Sequence, residues 1–419
     1  MAAPQVLDPG FRFDPLSAEF DRDPFPVLAR LREQAPVWWW ELADAWVLTR
    51  HADVVAVMGD EARFSPDPRH WERYAPAPPE HARHPVVRLR DSSLFSYEGA
   101  EHTRIRRLAS VALTRRAVKS LEPLMRDLVD ELLDRVAPRG ACDFVADVAS
   151  VYPVTVVSRL LGVPNSSERE LRFKRLADLA VGAFSPVAGE ATILRALDAG
   201  AKLVGELEAL MAEKRAAPGD DLMTDMLLAE AEGDRFSPEE VTSTLLAILV
   251  GGAETTANSM AFGLLELLRH PDQLEKFRTD PAVRPAAVHE IVRHQMPGRF
   301  LNRYAKRDTE IDGHPVRKGQ LVLCCMPAAQ RDPAVFEDPD RFDIGRAPRG
   351  DTAFGVGRHF CLGAQLAKLE LEISLGRVVE RLPGLHLACA ERDIPYRSNP
   401  AVRGPASLLI RFDPSGARQ

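Results

Sequence analysis

Apolar residues recur at three-to-four spacing along most of this chain, with a few short stretches where they alternate, so helices dominate and β-structure is minor. After about 20 irregular residues, Pro24-Phe25-Pro26 opens a helical pattern through Ala29, Leu31 and Arg32. Val37-Trp38-Trp39-Trp40 and Trp46-Val47-Leu48-Thr49, parted by Asp44-Ala45, read as a hairpin. Phe64 to His84, rich in Pro, His and Arg, predicts a long loop. Helical tracts follow over about 101–138, 144–161, 167–183 and 191–216, the last two parted by the Pro and Gly break at 184–189.

One helix start is better marked than the others. Ser237-Pro238-Glu239-Glu240 offers an N-cap serine, proline at the first helical position and the glutamate of a capping box. The pattern runs to about Arg269 and is apolar on nearly all sides, which predicts a helix of ~30 residues buried through the middle of the molecule. A further helix covers about 282–295, short strands about 309–325, a Pro-rich meander 332–351, a helix from Leu362 to Leu382, and a second hairpin about 386–412.

At 419 residues the chain is long enough for two domains or one large one, and no linker separates two independent units. A net charge of -7 leaves no electrostatic footprint for nucleic acid. Glu254, in the most apolar stretch, and the absence of a signal-like N-terminus argue against a membrane anchor or export, and for a cytoplasmic protein. The five cysteines (Cys142, Cys324, Cys325, Cys361 and Cys389) show neither disulfide nor zinc spacing.

Cys361 stands apart because of its neighbours, Phe354-Gly355-Val356-Gly357-Arg358-His359-Phe360-Cys361-Leu362-Gly363. Glycines here allow close backbone approach to a flat partner, and a helix start favours thiolate. The string resembles the haem-binding loop of the cytochrome P450 superfamily, F-G-x-G-x-H-x-C-x-G, at every defined position. The resemblance implies a mainly α fold with a small β-rich lobe, a triangular helical prism around a long central helix, with Cys361 as axial thiolate of haem b. It implies one domain over 1–419, the minor lobe drawing on about 37–50, 309–325 and 386–412, and no fused reductase.

Further matches follow from it. Glu290-Ile291-Val292-Arg293, on its own a common surface spacing, becomes the E-x-x-R pair of a structural triad completed by Arg341 of Pro339-Asp340-Arg341-Phe342. Gly251-Gly252-Ala253-Glu254-Thr255-Thr256 supplies the acid and threonine of the central helix, Glu254 and Thr255 serving proton delivery during O2 activation; glycines cost a helix ~1 kcal/mol each, so a local opening beside the haem is expected. His102, Arg106, Arg303 and His359 become partners of the haem propionates, with Phe354, Gly355, Gly363 and Gly251 lining the cofactor. Arg104, Arg107, Arg115 and Arg116 read as a solvated face that, with Arg358, suits an acidic ferredoxin.

The implied function is monooxygenation of a C–H or C=C bond in a mid-sized hydrophobic molecule such as a fatty acid, terpenoid, steroid or polyketide. Electrons from NAD(P)H arrive through ferredoxin or flavodoxin and its reductase, and the protein is expected to be a monomer. The pocket is expected to use Leu245, Ala247, Ile248, Arg299, Phe300 and Leu301, with the loops at 66–97 and 176–190 and the turn at Asn399-Pro400-Ala401. Arg299, if it points inward, holds a carboxylate; otherwise it faces solvent. A peroxide-driven peroxygenase of the same fold and a non-catalytic haem sensor are the rival readings, the first disfavoured by the intact Glu254-Thr255 pair.

Overall fold

The structure, a computed structural model, describes residues 7, 10–74, 93–112, 114–163, 167–180, 189–231, 234–397 and 399–415. Its axis is the helix Pro238–Arg269, 32 residues long. The capping box forms as the sequence predicts: Ser237 Oγ accepts from the Glu240 N–H at 3.2 Å, and Glu240 Oε2 accepts from the Ser237 N–H at 2.7 Å. This central helix packs against Tyr152–Leu160, Ser167–Ala180, Glu190–Ala216, Arg284–His294 and Ala364–Arg381. At Gly263 the packing has no slack, since a β-carbon would stand 2.8 Å from Leu375 Cδ1 and 3.1 Å from Ile291 Cγ2. Glycine there lets the helix that follows Cys361 and the helix of Glu290 close on the central one.

A second core lies under a five-stranded sheet ordered Val37–Trp40, Ala45–Leu48, Leu321–Cys325, Phe300–Ala305, Phe64–Ser65. Only the pairing of Ala45–Leu48 with Leu321–Cys325 is parallel. Phe13, Leu28, Leu31, Trp40, Tyr304 and Leu323 fill this core, with Phe13 meeting Trp40 edge-on at 5.1 Å between ring centres. The early hairpin is where the alternation predicts it.

Three readings change. The tract over 101–138 is three helices, Gly99–Ala112, Arg115–Ser120 and Glu122–Val136, and the tract from Phe144 begins with a π turn at Val145–Ala149. The strands at His386–Leu387 and Leu409–Arg411 pair with each other and join Ala141–Asp143 in a separate three-stranded sheet, and Thr309–Ile311 with His314–Val316 makes a two-stranded one, so of 309–325 only Leu321–Cys325 joins the early hairpin. The helical assignment runs through Gly251-Gly252 without a break, so the expected opening is absent; instead the Thr255 hydroxyl donates to the Gly251 carbonyl.

Candidate active site

Between Val241 and Leu267 the central helix is buried everywhere except at Ala247, Ile248, Gly251, Gly252 and Thr255. At 100° per residue these five fall in one stripe about 140° wide, so the helix has a single face that protein does not fill. A β-carbon at Gly251 would find only Phe95 Cζ, at 3.8 Å. Glu254 sits at the edge of the stripe, buried, with Asn399 Nδ2 donating to Oε1 at 3.3 Å and Oε2 at 3.5 Å. Ala247 and Ile248 thus reach the open face, whereas Leu245, fully buried, borders it about 20° past Gly252.

The cysteine loop is built from its glycines. Gly355 and Gly357 adopt φ of +81° and +69°, which side chains resist, and the turn closes with Cys361 N–H on the Phe354 carbonyl at 2.8 Å. The helix Ala364–Arg381 starts three residues later. Cys361 is exposed, and nothing stands within 4 Å of a β-carbon placed on Gly363, so a flat group has room against this segment. Lys368 Nζ lies 4.9 Å over the Phe354 ring. Although the residue's surface is open, desolvation by the protein atoms around the sulfur raises the Cys361 thiol pKa against the lowering pull of the Gly363 N–H, Arg106 and Lys368.

Around the thiol stand two arginines and two imidazoles that lack anionic partners among the described residues. Arg303 is buried, spends Nη1 on the Asn302 carbonyl at 2.8 Å and leaves Nη2 without a partner. His102 is buried with Nε2 unpartnered, its ring centre 4.2 Å from that of His359. Among the described residues no carboxylate pairs with Arg106 or Arg303, and the nearby Glu61 is taken by Arg358 at 3.0 Å. Burial, then the charges of Arg106 and Arg358, push the His102 pKa down to about 4; burial, then His102, Arg303 and Arg106, push His359 down to about 3. Buried uncompensated cations are costly, and two ligand carboxylates would relieve them. The residues present therefore fit a haem with its propionates among these four side chains.

One consequence is measurable in the haem-free protein. His102 is neutral when folded and ionises near 6.5 when unfolded, so the unfolded chain gains protons first as pH falls, and stability is lost from about 6.5 down toward 4. His102→Asn is expected to lessen the drop in unfolding midpoint between pH 7 and pH 5.

The E-x-x-R pair forms, and its third member is a different residue. Arg293 Nε and Nη2 meet Glu290 Oε2 and Oε1 at 2.6 and 2.9 Å, with both side chains buried. Arg341 instead points outward, 64% exposed, and contributes only its carbonyl, which accepts from Arg293 Nη2 at 3.4 Å. The arginine on Glu290 is Arg346, with Nε 3.3 Å from Oε1. Arg346 also donates to the carbonyls of Glu337, Asp338 and Arg341, and so pins the meander to the helix.

Arg299 neither enters a pocket nor meets solvent. It is 3% exposed, with Nε on the Asn399 carbonyl at 2.9 Å, Nη1 on the Pro15 carbonyl at 2.7 Å and Nη2 on the Asp21 carboxylate. Phe300 and Leu301 sit on opposite faces of one strand: Phe300 packs on the second core beside Phe13, while Leu301 shares the face of Arg303 and stays open. Phe300 is thus turned to the second core and Leu301 to the side of Arg303. Arg104 bonds Glu240 of the capping box and Arg107 meets Asp234 at 3.2 Å, so neither is a free solvated charge. Residues 75–92 and 181–188 of the expected lid loops, and the side chains of Arg115 and Arg116, lie outside the described residues.

Arg346 is a residue of consequence that sequence reasoning did not assign, and Asn399, expected only in a pocket-lining turn, turns out to bond Glu254. The signal for Arg346 was a second arginine five positions past Arg341; for the contact of Asn399 with Glu254 there was none.

With this geometry in place, comparison with known proteins is direct. A family model described as Cytochrome P450 matches residues 195–384. The chain is 35% identical over 421 residues to the epothilone C/D epoxidase of Sorangium cellulosum, covering 98% of this chain and 97% of that one. It is 31% identical over 405 residues to the polyketide biosynthesis cytochrome P450 PksS of Bacillus subtilis, covering 95% and 98%. Among solved structures, epothilone D-bound cytochrome P450epoK superposes with a TM-score of 0.88 at 33% identity, covering 97% of this chain and all of that one. The fold is that of these haem-thiolate enzymes. The chain belongs to the cytochrome P450 family and is a monooxygenase of that family.

Proposed function

We propose that the chain inserts one atom of O2 into a C–H or C=C bond of a neutral, mid-sized hydrophobic molecule of the polyketide type. The observation that carries the cofactor site is the buried Arg303 guanidinium with an unpartnered Nη2, set with Arg106 and the imidazoles of His102 and His359 beside an exposed thiol: Arg303, Arg106, His102 and His359 would hold the propionates and Cys361 the iron. Bound there, haem supplies the one-electron and O2 chemistry by which one oxygen atom enters the substrate and the other leaves as water. Electrons would come from NAD(P)H through a ferredoxin or flavodoxin and its reductase, in the cytoplasm.

The chain's own residues would do the rest. Ala247, Ile248, Gly251 and Gly252 offer a surface of small and apolar groups for substrate and dioxygen, and Leu301 adds to it. The Thr255 hydroxyl, on the open face, would donate a proton, and Glu254 would replenish it from the buried side. Polyketide chemistry is favoured because two relatives covering nearly the whole chain are named for epothilone epoxidation and polyketide biosynthesis, and because the one candidate carboxylate anchor, Arg299, is fully engaged. A lipophilic acid and its methyl ester are accordingly expected to shift the ferric spectrum with equal affinity, and a neutral macrolactone to do so more tightly than either.

The peroxygenase reading is separated by its oxidant. Product formation with ferredoxin, reductase, NAD(P)H and O2 is expected to exceed that with hydrogen peroxide alone; the reverse order would replace this proposal with the peroxygenase.

A further inference from the structure

Glu254 is held from outside its own helix, and the holder is itself held. Asn399 divides its amide between two tasks: Nδ2 donates to the Glu254 carboxylate, while Oδ1 accepts from the N–H groups of Ala401 and Val402 at 2.8 and 3.3 Å, closing an Asx turn. The Asn399 carbonyl takes Arg299 Nε at 2.9 Å. Arg299 is anchored at its far end on the Asp21 carboxylate and the Pro15 carbonyl. Two backbone bonds zip the same turn to the strand before it, Arg299 N–H to Ala401 at 3.2 Å and Arg403 N–H to Pro297 at 2.7 Å. Buried Arg403 returns to the first helix, with Nε on the Asp21 carbonyl at 2.6 Å and Nη2 on the Arg22 carbonyl at 3.1 Å. The turn is also pressed on the central helix at Asn258, one helical turn past Glu254: a β-carbon on Gly404 would stand 2.1 Å from Asn258 Oδ1.

We propose that Asn399 is a positioning residue that fixes the Glu254 carboxylate, and that the buried Asp21–Arg299 pair holds Asn399 in register, so that the first helix of the chain, Ala18–Arg22, sets the geometry of proton delivery. This rests on the reading of Glu254 as the proton-relaying acid and deepens it. The choice of an amide has a physical reason. An amide can give a donor to the carboxylate through Nδ2 and an acceptor to the turn through Oδ1 at the same time, which neither a carboxylate nor a guanidinium can do. Arg299 is kept one step back, on the carbonyl of Asn399 rather than on Glu254.

The isosteric variant Asn399→Asp separates the two halves of that amide. It keeps an oxygen for the Ala401 and Val402 N–H groups and replaces the donor to Glu254 with an acceptor. In the full-length haem-loaded enzyme, the share of NAD(P)H electrons recovered in product is expected to fall about 3- to 10-fold, as for the loss of one hydrogen bond of ordinary net strength, with hydrogen peroxide rising in its place.

Glu254→Gln combined with Asn399→Asp reverses donor and acceptor. It is expected to restore slow amide exchange at 399–403, read in haem-free and haem-loaded protein alike, while coupling stays as low as in Glu254→Gln. Asp21→Asn is expected to quicken that exchange and lower coupling in the same direction by a smaller factor. Wild-type coupling in Asn399→Asp alongside an uncoupled Glu254→Gln would overturn the inference and leave the role of Glu254 standing. Wild-type coupling in Glu254→Gln would overturn the role of Glu254 itself. Unchanged exchange and coupling in Asp21→Asn would overturn the part assigned to the first helix.

Discussion

Replacing Cys361 with serine is expected to remove the red-shifted Soret band from the carbon monoxide complex of the reduced protein and to bring turnover to background. Burial holds the Cys361 thiol above its usual pKa near 9, against the pull of the Gly363 N–H, Arg106 and Lys368. In the haem-free protein this sulfur is therefore a poor nucleophile at neutral pH, and alkylation by iodoacetamide is expected to climb only at alkaline pH. An iron cation reverses the balance, because a metal-bound thiolate needs no proton and its charge is met directly. Serine cannot supply the soft donor that favours O–O cleavage. The four propionate partners remain, so haem should still be retained, more weakly and with an altered spectrum. Retention of the red-shifted band in the serine variant would sink the assignment of Cys361 as the ligand.

The parts of this protein that were legible in the sequence are those written in consecutive residues. The cysteine loop closes through neighbours at 354–363, and the central helix announces itself at Ser237 to Glu240, so both were readable. The open face was not, because Ala247, Gly251 and Gly252 would look the same in a tightly packed helix crossing, as Gly263 shows by being one. Leu245 and Ile248 are both aliphatic and three residues apart, yet only Ile248 reaches the open stripe. Arg299 misled for a different reason: its partners Asp21 and Pro15 lie 278 and 284 positions away, and no local pattern reports them. Phe300 became readable only once its strand was placed, since alternation then assigns it to the aromatic core and Leu301 to the other face. The sequence offered His102, Arg106, Arg303 and His359 one by one, but the unpartnered Arg303 Nη2 and His102 Nε2, which suit an anionic ligand, exist only in three dimensions.

The Glu290 cluster yields the second large effect, and it distinguishes two arginines that the sequence confused. Glu290 and Arg293 are 1% and 3% exposed in their side chains, and Arg293 also donates to the carbonyls of Gln330 and Pro339 at 2.8 and 2.9 Å. Removing one partner leaves an uncompensated buried charge, at a cost of ~3–5 kcal/mol. Against a total stability of about 5–15 kcal/mol that is enough to deplete the folded protein. Arg293→Ala is thus expected to give little soluble, haem-loaded enzyme, with Glu290→Gln intermediate because the amide keeps one acceptor for the Asp343 N–H, now 2.9 Å from Oε1. Arg346→Ala loses the bond to Glu290 and three to meander carbonyls, partly replaceable by water, and is expected to cost ~1–2 kcal/mol. Arg341→Ala, on a side chain in solvent with a single 3.6 Å ion pair to Asp343, should stay within ~0.5 kcal/mol of the parent. Urea unfolding midpoints of the four variants check the order. A larger loss in Arg341→Ala than in Arg346→Ala would return the third place in the triad to Arg341, since a guanidinium that supplied only its backbone carbonyl could not produce it.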